Sequence, residues 1–216
     1  MGNNIIIISG GYVDQTFLDA LFLEEQYSMV IVADRGLLVA DNLKLPIDYI
    51  LGDFDSVLPE LLSKYKGKTT PIKIFPTKKD KTDTEIALDL ALEQSPSYIH
   101  IVGATGSRMD HTMANIELLL KAMNQNVNTA IIDTNNKIYL KKDNFIIKKE
   151  KQYGDYISLI PFSHQIEGLT LKGFKYPLDS ITLKAGSSLG ISNEIIEDEG
   201  IIEFSKGILL VFESRD

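Results

Sequence analysis

Met29-Val30-Ile31-Val32-Ala33-Asp34 is a short apolar run that ends in a carboxylate, and it sets the pattern for the N-terminal half of the chain. A short apolar run of this kind, mostly β-branched, predicts a strand buried on both faces, as in parallel sheets. Further runs of the same kind occupy residues 5–9, 49–52, 72–75, 98–103 and 129–133. We therefore expect a parallel sheet to organise this half of the chain.

Amphipathic segments separate these runs, and two of them carry a clear helical pattern. In residues 110–125 apolar side chains recur at every third or fourth position, which is typical of a helix with one buried face. Residues 82–94 show the same spacing behind Thr82-x-x-Glu85, a capping-box pattern. Alternating strands and helices predict right-handed crossovers and a doubly wound, mainly parallel α/β sheet.

The pattern changes after Thr134, where no long helical stripe remains. Short strand-like runs separated by glycines follow one another at residues 138–140, 145–147, 156–160, 169–171, 181–183, 201–204 and 208–212. Such spacing is typical of an antiparallel β-sandwich or barrel. We place the boundary in the polar stretch 134–142 and expect two domains, residues 1–134 and residues 135–216.

Composition excludes several classes of function. The 216 residues are 44% hydrophobic and carry a net charge of 22 − 30 = −8, so a general nucleic-acid binder, which needs basic surface, is disfavoured. The absence of cysteine excludes disulfides, thiolate zinc sites and a cysteine nucleophile. The first residues lack the basic segment and the apolar segment of a signal peptide, and no apolar stretch is long enough to span a membrane. We expect a cytoplasmic protein without a membrane span.

Acidic residues follow several of the predicted strands. They are Asp34, Asp53, Asp55, Asp80, Asp83 and Asp110. Ligands of open α/β sheets bind beyond the carboxyl ends of the strands, so these carboxylates are expected at one edge. Each one taken singly is better explained as a turn former or helix cap, and Asp110 also occupies an N-cap position. Together they would repel one another without a cation, and oxygen ligands of this kind suit Mg²⁺.

A second candidate site element is the turn at residues 103–108, which leads from a predicted strand into a predicted helix. Backbone N–H groups of such a turn can hold phosphate, and Arg108 adds a planar donor, although no established phosphate-loop pattern is matched. His111 and Asn115 are four residues apart and are expected on one helix face. Three lysines at 78, 79 and 81 are more simply solvated loop residues.

These motifs, taken in order, resemble thiamine pyrophosphokinases of the bacterial type. The most specific are Gly52-Asp53-Phe54-Asp55-Ser56 and Lys79-Asp80-Lys81-Thr82-Asp83-Thr84-Glu85, and residues 33–36, 103–111, 171–178 and 186–193 also match. The resemblance implies an N-terminal α/β domain that binds ATP and Mg²⁺ and a C-terminal β-sandwich that helps to bind thiamine. It also implies a homodimer with active sites between subunits, and pyrophosphate transfer from ATP to the thiamine hydroxyl with release of AMP.

The resemblance also implies roles for individual residues. Asp34, Asp53, Asp55 and Asp80 would form the Mg²⁺–ATP site. Thr82 and Asp83 would support it, Arg108 would bind phosphate, and Asp110 would lie beside the reacting groups. Further contacts to the substrates are expected from Arg35, His111, Asn115, Ser192 and Asn193. Arg35 departs from the glycine often found there, and Ser107 likewise replaces a frequent glycine. The general base is Asp55 or Asp83, and replacing Asp53 with Asn should abolish most turnover without unfolding the chain.

Three other functions remain open at the level of sequence. A pyrophosphokinase that acts on a hydroxymethylpterin would share the acidic strand ends. A nucleotide or thiamine-phosphate binding module without turnover would gain little from so many carboxylates. A nucleotide-sugar transferase with a D-x-D motif leaves residues 79–85 without a role.

Overall fold

The fold is described from a computed structural model that covers residues 2–52, 59–65, 71–74 and 80–216. The chain divides into two compact units, Met1–Thr134 and Asn135–Asp216, each a continuous segment. Among the described residues, no helix is long and apolar enough to cross a membrane.

The first unit alternates strands and helices. Its elements are β1 (Asn4–Ile8), α1 (Gln15–Glu24), β2 (Met29–Ala33), α2 (Gly36–Asn42), β3 (Tyr49–Gly52), α3 (Pro59–Ser63), β4 (Ile72–Ile74), α4 (Asp83–Glu93), β5 (Tyr98–Val102), α5 (Met109–Asn124) and β6 (Asn128–Ile132). The strand order is β4-β3-β2-β1-β5-β6, and the neighbouring strands pair in parallel. This confirms the doubly wound parallel sheet.

The direction of winding reverses between β1 and β5. Strands β2 to β4 extend the sheet on one side of β1, whereas β5 and β6 extend it on the other. In open α/β sheets this reversal opens a crevice at the carboxyl ends of the two central strands, and ligands bind there. Strand β1 is buried on both faces at this point, since Ile5, Ile6, Ile7 and Ile8 are each fully buried.

The second unit consists of antiparallel strands: β7 (Asn136–Lys141), β8 (Phe145–Lys148), β9 (Tyr156–Pro161), β10 (Gln165–Lys172), β11 (Leu178–Lys184), β12 (Glu199–Glu203) and β13 (Leu209–Ser214). Within this unit β13 pairs with both β7 and β9, and a separate sheet has the order β11-β10-β12-β8. A single core joins the two layers: Leu159 and Val211 from one sheet pack with Leu169 and Ile202 from the other. The C-terminal β-sandwich is therefore confirmed.

The sequence prediction is corrected at the starts of β10, β11 and α5 and at the end of β13. Strands β10 and β11 begin at Gln165 and Leu178, before the predicted starts at 169 and 181. Helix α5 begins at Met109 with Arg108 as its N-cap, so the expectation that Asp110 occupies the N-cap is wrong; Asp110 lies in the first turn, where its charge faces the positive end of the helix dipole. Strand β13 continues to Ser214, beyond the predicted end at Phe212. Glu213 and Ser214 still pair with β7 and β9, and the buried Glu213 side chain accepts a hydrogen bond from the backbone N–H of Tyr153 at 2.7 Å.

Candidate active site at the carboxyl edge of the parallel sheet

The loops that follow β1 and β5 are packed backbone against backbone at the crevice. The N–H of Ser9 donates to the carbonyl of Val102 at 2.8 Å, and the N–H of Gly11 donates to the carbonyl of Gly103 at 2.9 Å. A Cβ atom on Gly11 would lie 2.4 Å from the oxygen of Gly103, so only glycine fits there. The two central loops are thus held in fixed positions relative to each other.

Asp34 lies directly beyond β2, in the left-handed region with φ of 46°. Its N–H donates to the carbonyl of Leu51 at 3.0 Å, which ties this turn to β3. A Cβ atom on Gly52 would lie 2.1 Å from the Oδ1 of Asp34, so the carboxylate rests against the backbone at the end of β3. The chain continues from Gly52 into Asp53 and Asp55, which lie outside the described residues. Asp34 is therefore held beside the start of that acidic segment.

The start of α4 is fixed by two hydroxyl groups. Thr82 is the N-cap, as predicted, and its Oγ1 accepts a hydrogen bond from the N–H of Glu85 at 3.2 Å. Thr84 and Ser9 are both buried, and their hydroxyls share a hydrogen bond of 2.5 Å. Asp83 occupies the first turn of the helix, and the exposed Asp80 lies just before it. Because Ser9 follows β1, the segment with Asp80 and Asp83 is held at the same edge as Asp34.

Asn115 of α5 holds the loop between β5 and α5 in place. This side chain is buried, and its Nδ2 donates to the carbonyl of Ala104 at 2.7 Å. Thr105 donates from Oγ1 to Asp133 at 2.7 Å, which ties the loop to the end of β6. His111 is exposed, so the structure does not place His111 and Asn115 on a common accessible face. Asn115 contacts loop backbone in this structure.

Arg108 and Asp110 form an exposed pair at the N-terminus of α5. The Nη2 of Arg108 lies 2.6 Å from Oδ2 of Asp110, and its Nε donates to Oδ1 at 3.2 Å. The hydrogen bond from Arg108 lowers the pKa of Asp110, and the same contact raises the pKa of Arg108. Both side chains are more than half exposed, at 70% and 64%. A guanidinium in this position can exchange its carboxylate partner for a phosphate at little cost.

The donor set at this edge fits Mg²⁺ by its chemistry. Asp34 and Asp80 supply carboxylate oxygens, which are the ligands that hard divalent cations prefer. In the part of the chain that the structure describes, no three His, Asp or Glu side chains are grouped so that they could hold a metal ion. Two of the four expected ligands, Asp53 and Asp55, lie outside that part.

In the second unit, Ser192 and Asn193 differ sharply in environment. Ser192 is exposed, has φ of 54°, and donates its N–H to the hydroxyl of Ser158 at 2.9 Å. Asn193 is buried: its Nδ2 donates to the carbonyl of Tyr176 at 2.8 Å, and its Oδ1 accepts from the N–H groups of Tyr176 and Glu194. The amide of Asn193 therefore fixes two loops, whereas the hydroxyl of Ser192 faces solvent.

Three side chains that hold this edge together were missed by sequence reasoning: Ser9, Thr84 and Thr105. Each is a small hydroxyl residue at the end of a strand or the start of a helix, where a cap is the ordinary explanation. Their partners are distant in sequence, as in the pairing of Ser9 with Thr84 across 75 positions. Only the folded sheet brings such partners together, so no local pattern could have revealed them.

Comparisons with known proteins agree with this geometry. Residues 21–131 match the family described as thiamin pyrophosphokinase, catalytic domain, and residues 144–209 match the thiamin pyrophosphokinase vitamin B1 binding domain. Thiamine pyrophosphokinase from Bacillus subtilis is 37% identical over 214 residues, which cover 99% of this chain and 94% of the relative.

Solved structures give the same result. The crystal structure of the Bacillus subtilis protein superposes with a TM-score of 0.88 at 35% identity and covers 99% of both chains. That of thiamin pyrophosphokinase from Geobacillus thermodenitrificans superposes with a TM-score of 0.85 at 34% identity, covering 99% of this chain and 98% of its own. Full-length similarity at this level, in sequence and in fold, shows that the chain belongs to the thiamine pyrophosphokinase family.

Proposed function

We propose that the chain transfers the pyrophosphate group of ATP to the hydroxyl of thiamine, giving thiamine pyrophosphate and AMP, with Mg²⁺ bound at the carboxyl edge of the parallel sheet. The observation that carries the proposal is the presence of both family domains, catalytic and vitamin B1 binding, in one chain. As a member of this family, the chain is an enzyme, a thiamine diphosphokinase, and ATP is its co-substrate.

In this proposal four carboxylates hold the metal: Asp34, Asp53, Asp55 and Asp80. When bound, Mg²⁺ neutralises charge on the phosphate oxygens. Support comes from the position of Asp34 against the end of β3 and from the hydroxyl contacts that hold the start of α4. Thr82 keeps that helix start in place, and Asp83 projects from its first turn.

The remaining residues of the site bind and orient the substrates. Arg108 exchanges Asp110 for a phosphate oxygen of ATP, which leaves Asp110 beside the reacting groups. Arg35, the exposed N-cap of α2, adds a second cation next to Asp34. His111 contacts ATP from the exposed side of α5, and Asn115 contributes by fixing the loop at Ala104. The oxygen of the thiamine hydroxyl attacks the β-phosphorus of ATP, and AMP leaves. Asp55 or Asp83 accepts the proton of that hydroxyl.

The second unit binds thiamine and forms a homodimer, so that Ser192 and the loop fixed by Asn193 lie at an active site shared between subunits. Support comes from exposed apolar side chains next to this loop: Leu189 is 60% exposed and Ile196 is 57% exposed. Large apolar side chains exposed on either side of such a loop are available for an interface. The proposal places the enzyme in the cytoplasm, where its co-substrate ATP is available.

The test is a product analysis. Purified protein is incubated with Mg²⁺, ATP and thiamine, and the products are resolved by chromatography. We expect thiamine pyrophosphate and AMP in equal amounts. Thiamine monophosphate with ADP would contradict attack at the β-phosphorus. No product from a sample that binds ATP would contradict the proposal and favour a hydroxymethylpterin acceptor, which the same assay can screen.

A further inference from the structure

A lysine on α5 joins two carboxylates on α4, away from the residues assigned to the site above. The Nζ of Lys121 lies 3.1 Å from Oε1 of Glu85 and also contacts Oδ1 of Asp89. The second oxygen of Asp89, Oδ2, accepts a hydrogen bond from Lys81 at 2.7 Å. Lys121, Asp89 and Lys81 therefore form a chain of ion pairs, which we call the lysine–aspartate relay.

The relay is more than a pair of surface charges. Glu85 and Asp89 are one helical turn apart on α4, and two carboxylates at this spacing repel each other unless a cation lies between them. The side chains of Lys121, Glu85 and Asp89 are only 32%, 25% and 27% exposed, so solvent screens them less than a fully exposed pair. The hydrogen bond to Asp89 raises the pKa of Lys121.

The relay ends at the segment that leads into α4. Lys81 lies between Asp80, an expected metal ligand, and Thr82, the N-cap. Its ammonium is held eight positions further along the chain, on the flank of the helix. The Lys81 side chain is 50% exposed, and its ion pair joins the flank of α4 to the segment that contains Asp80 and Thr82. The buried hydrogen bond between Ser9 and Thr84 fixes the helix itself, whereas the relay ends at Lys81, which comes before the helix.

We propose that Lys121 is a positioning residue for nucleotide binding: through Asp89 it holds Lys81, and thereby sets the place of Asp80 at the start of α4. This inference rests on the proposed function, in which Asp80 contributes to the Mg²⁺–ATP site. Lys121 itself touches no substrate.

The test compares Lys121→Met, which removes the charge but keeps most of the stem, with Lys121→Arg, which keeps the charge. We expect Lys121→Met to raise the KM for Mg²⁺–ATP about fivefold, the effect of losing roughly one ion pair, while kcat and the KM for thiamine stay within about twofold. Lys121→Arg should restore the KM. The matched control is Lys206→Met, which breaks the pair with Glu167 in the second unit and should leave all three constants unchanged.

A double-mutant cycle with Lys81→Met tests whether Lys121 acts on nucleotide binding through Lys81. If Lys121 acts through Lys81, the added effect of Lys121→Met on the KM for Mg²⁺–ATP disappears in the Lys81→Met background. Full additivity would overturn the relay. A lower melting temperature with an unchanged KM would likewise overturn it, because it would leave Lys121 with a role in helix packing alone.

A binding measurement separates this inference from the proposed function. The dissociation constant of a non-hydrolysable ATP analogue with Mg²⁺ is measured by calorimetry for the wild type and both Lys121 variants. Weaker binding by Lys121→Met, restored by Lys121→Arg, supports the positioning role even if the wild type forms no thiamine pyrophosphate. Equal binding by all three proteins contradicts it, whatever the product assay shows.

Discussion

At the scale of single residues, Gly52 decides where the Asp34 carboxylate lies. Its φ of 148° is one that side chains rarely adopt, and a Cβ there would overlap the Oδ1 of Asp34 at 2.1 Å. We expect Gly52→Ala to lower the free energy of unfolding by about 1–3 kcal/mol and to reduce turnover, because the carboxylate must move. Urea unfolding and the AMP-release assay measure the two effects.

The folding control for this substitution is Gly106→Ala. Nothing lies within 4 Å of a Cβ at Gly106, so its stability should remain close to that of the wild type. A Gly52→Ala protein with wild-type stability and turnover would contradict the close contact between Gly52 and Asp34.

Asn193 and Ser192 are neighbours, but we expect their substitution to affect different quantities: stability for Asn193 and the KM for thiamine for Ser192. Asn193→Ala leaves the N–H and the carbonyl of Tyr176 without their side-chain partner, which should cost about 1–3 kcal/mol of stability. Ser192→Ala removes only an exposed hydroxyl, so its melting temperature should stay constant while the KM for thiamine rises. Thermal unfolding and thiamine titrations distinguish the two cases. A raised KM for Asn193→Ala at full stability would instead assign its amide to ligand binding.

At the scale of elements, the presence of the strands followed from the sequence, whereas that of helices α1 and α2 did not. Buried strands are marked in sequence by continuous apolar runs, so every predicted strand has a counterpart in the structure. Most bounds agree within about two residues, but β10 and β11 begin four and three residues before the predicted runs. Helices α1 and α2 are short, and α2 is almost entirely apolar in its first turn, so no helical period identified them. The start of α5 was misplaced because Arg108 caps it without a side-chain hydrogen bond.

The candidate site could be predicted only in part, for a related reason. Carboxylates at strand ends are visible in sequence, since a parallel sheet gathers them at one edge. The contacts that place them are not, as the roles of Asn115 and Asn193 illustrate: both were expected to contact substrate, and both hold loop backbone in this structure. An amide that binds a ligand and one that binds a carbonyl look identical in sequence.

The hydrogen bond between Ser9 and Thr84 joins strand β1 to helix α4. Thr84→Val should cost about 1–3 kcal/mol of stability, because it leaves the buried hydroxyl of Ser9 without its partner. Adding Ser9→Ala removes that orphaned group, so the double variant should recover part of the loss. Chemical unfolding of the two single variants and the double variant measures the coupling. Strict additivity would contradict a direct bond between the two hydroxyls.

The lysine–aspartate relay also predicts how stability depends on pH. Partial burial raises the pKa of Asp89, but the hydrogen bonds from Lys121 and Lys81 outweigh this, and the net pKa is lowered from its ordinary value of 3.8. A carboxyl with a lowered pKa in the folded state stabilises the fold above pH 3.8, and this contribution is lost as the pH falls through the folded pKa. The free energy of unfolding should therefore fall more steeply toward acid pH in the wild type than in Asp89→Asn. Parallel curves would contradict the relay.

At the scale of the whole molecule, the proposed homodimer links association to activity. Light scattering should give the mass of two chains, and dilution below the dissociation constant should reduce the specific activity. Ile191, which is 43% exposed beside Ser192, is a suitable position at which to disrupt the proposed dimer interface. Ile191→Lys should shift the mass toward one chain and lower turnover together. A monomer with full activity at every concentration would contradict active sites shared between subunits.

The glycine contacts at the sheet edge have a consequence for mutational scans of this enzyme. Gly11, Gly36 and Gly103 each lie where an added Cβ would overlap backbone atoms, at 2.4, 2.4 and 2.7 Å. Such a scan would score these positions as intolerant whether or not ATP ever touches them. The loss of variants at these positions would therefore report the close packing of the backbone and would not report ATP binding. Under the proposed function, truncations of the exposed side chains of Arg108 and Asp110 are the substitutions whose fitness we expect to report nucleotide binding, because they leave the backbone in place.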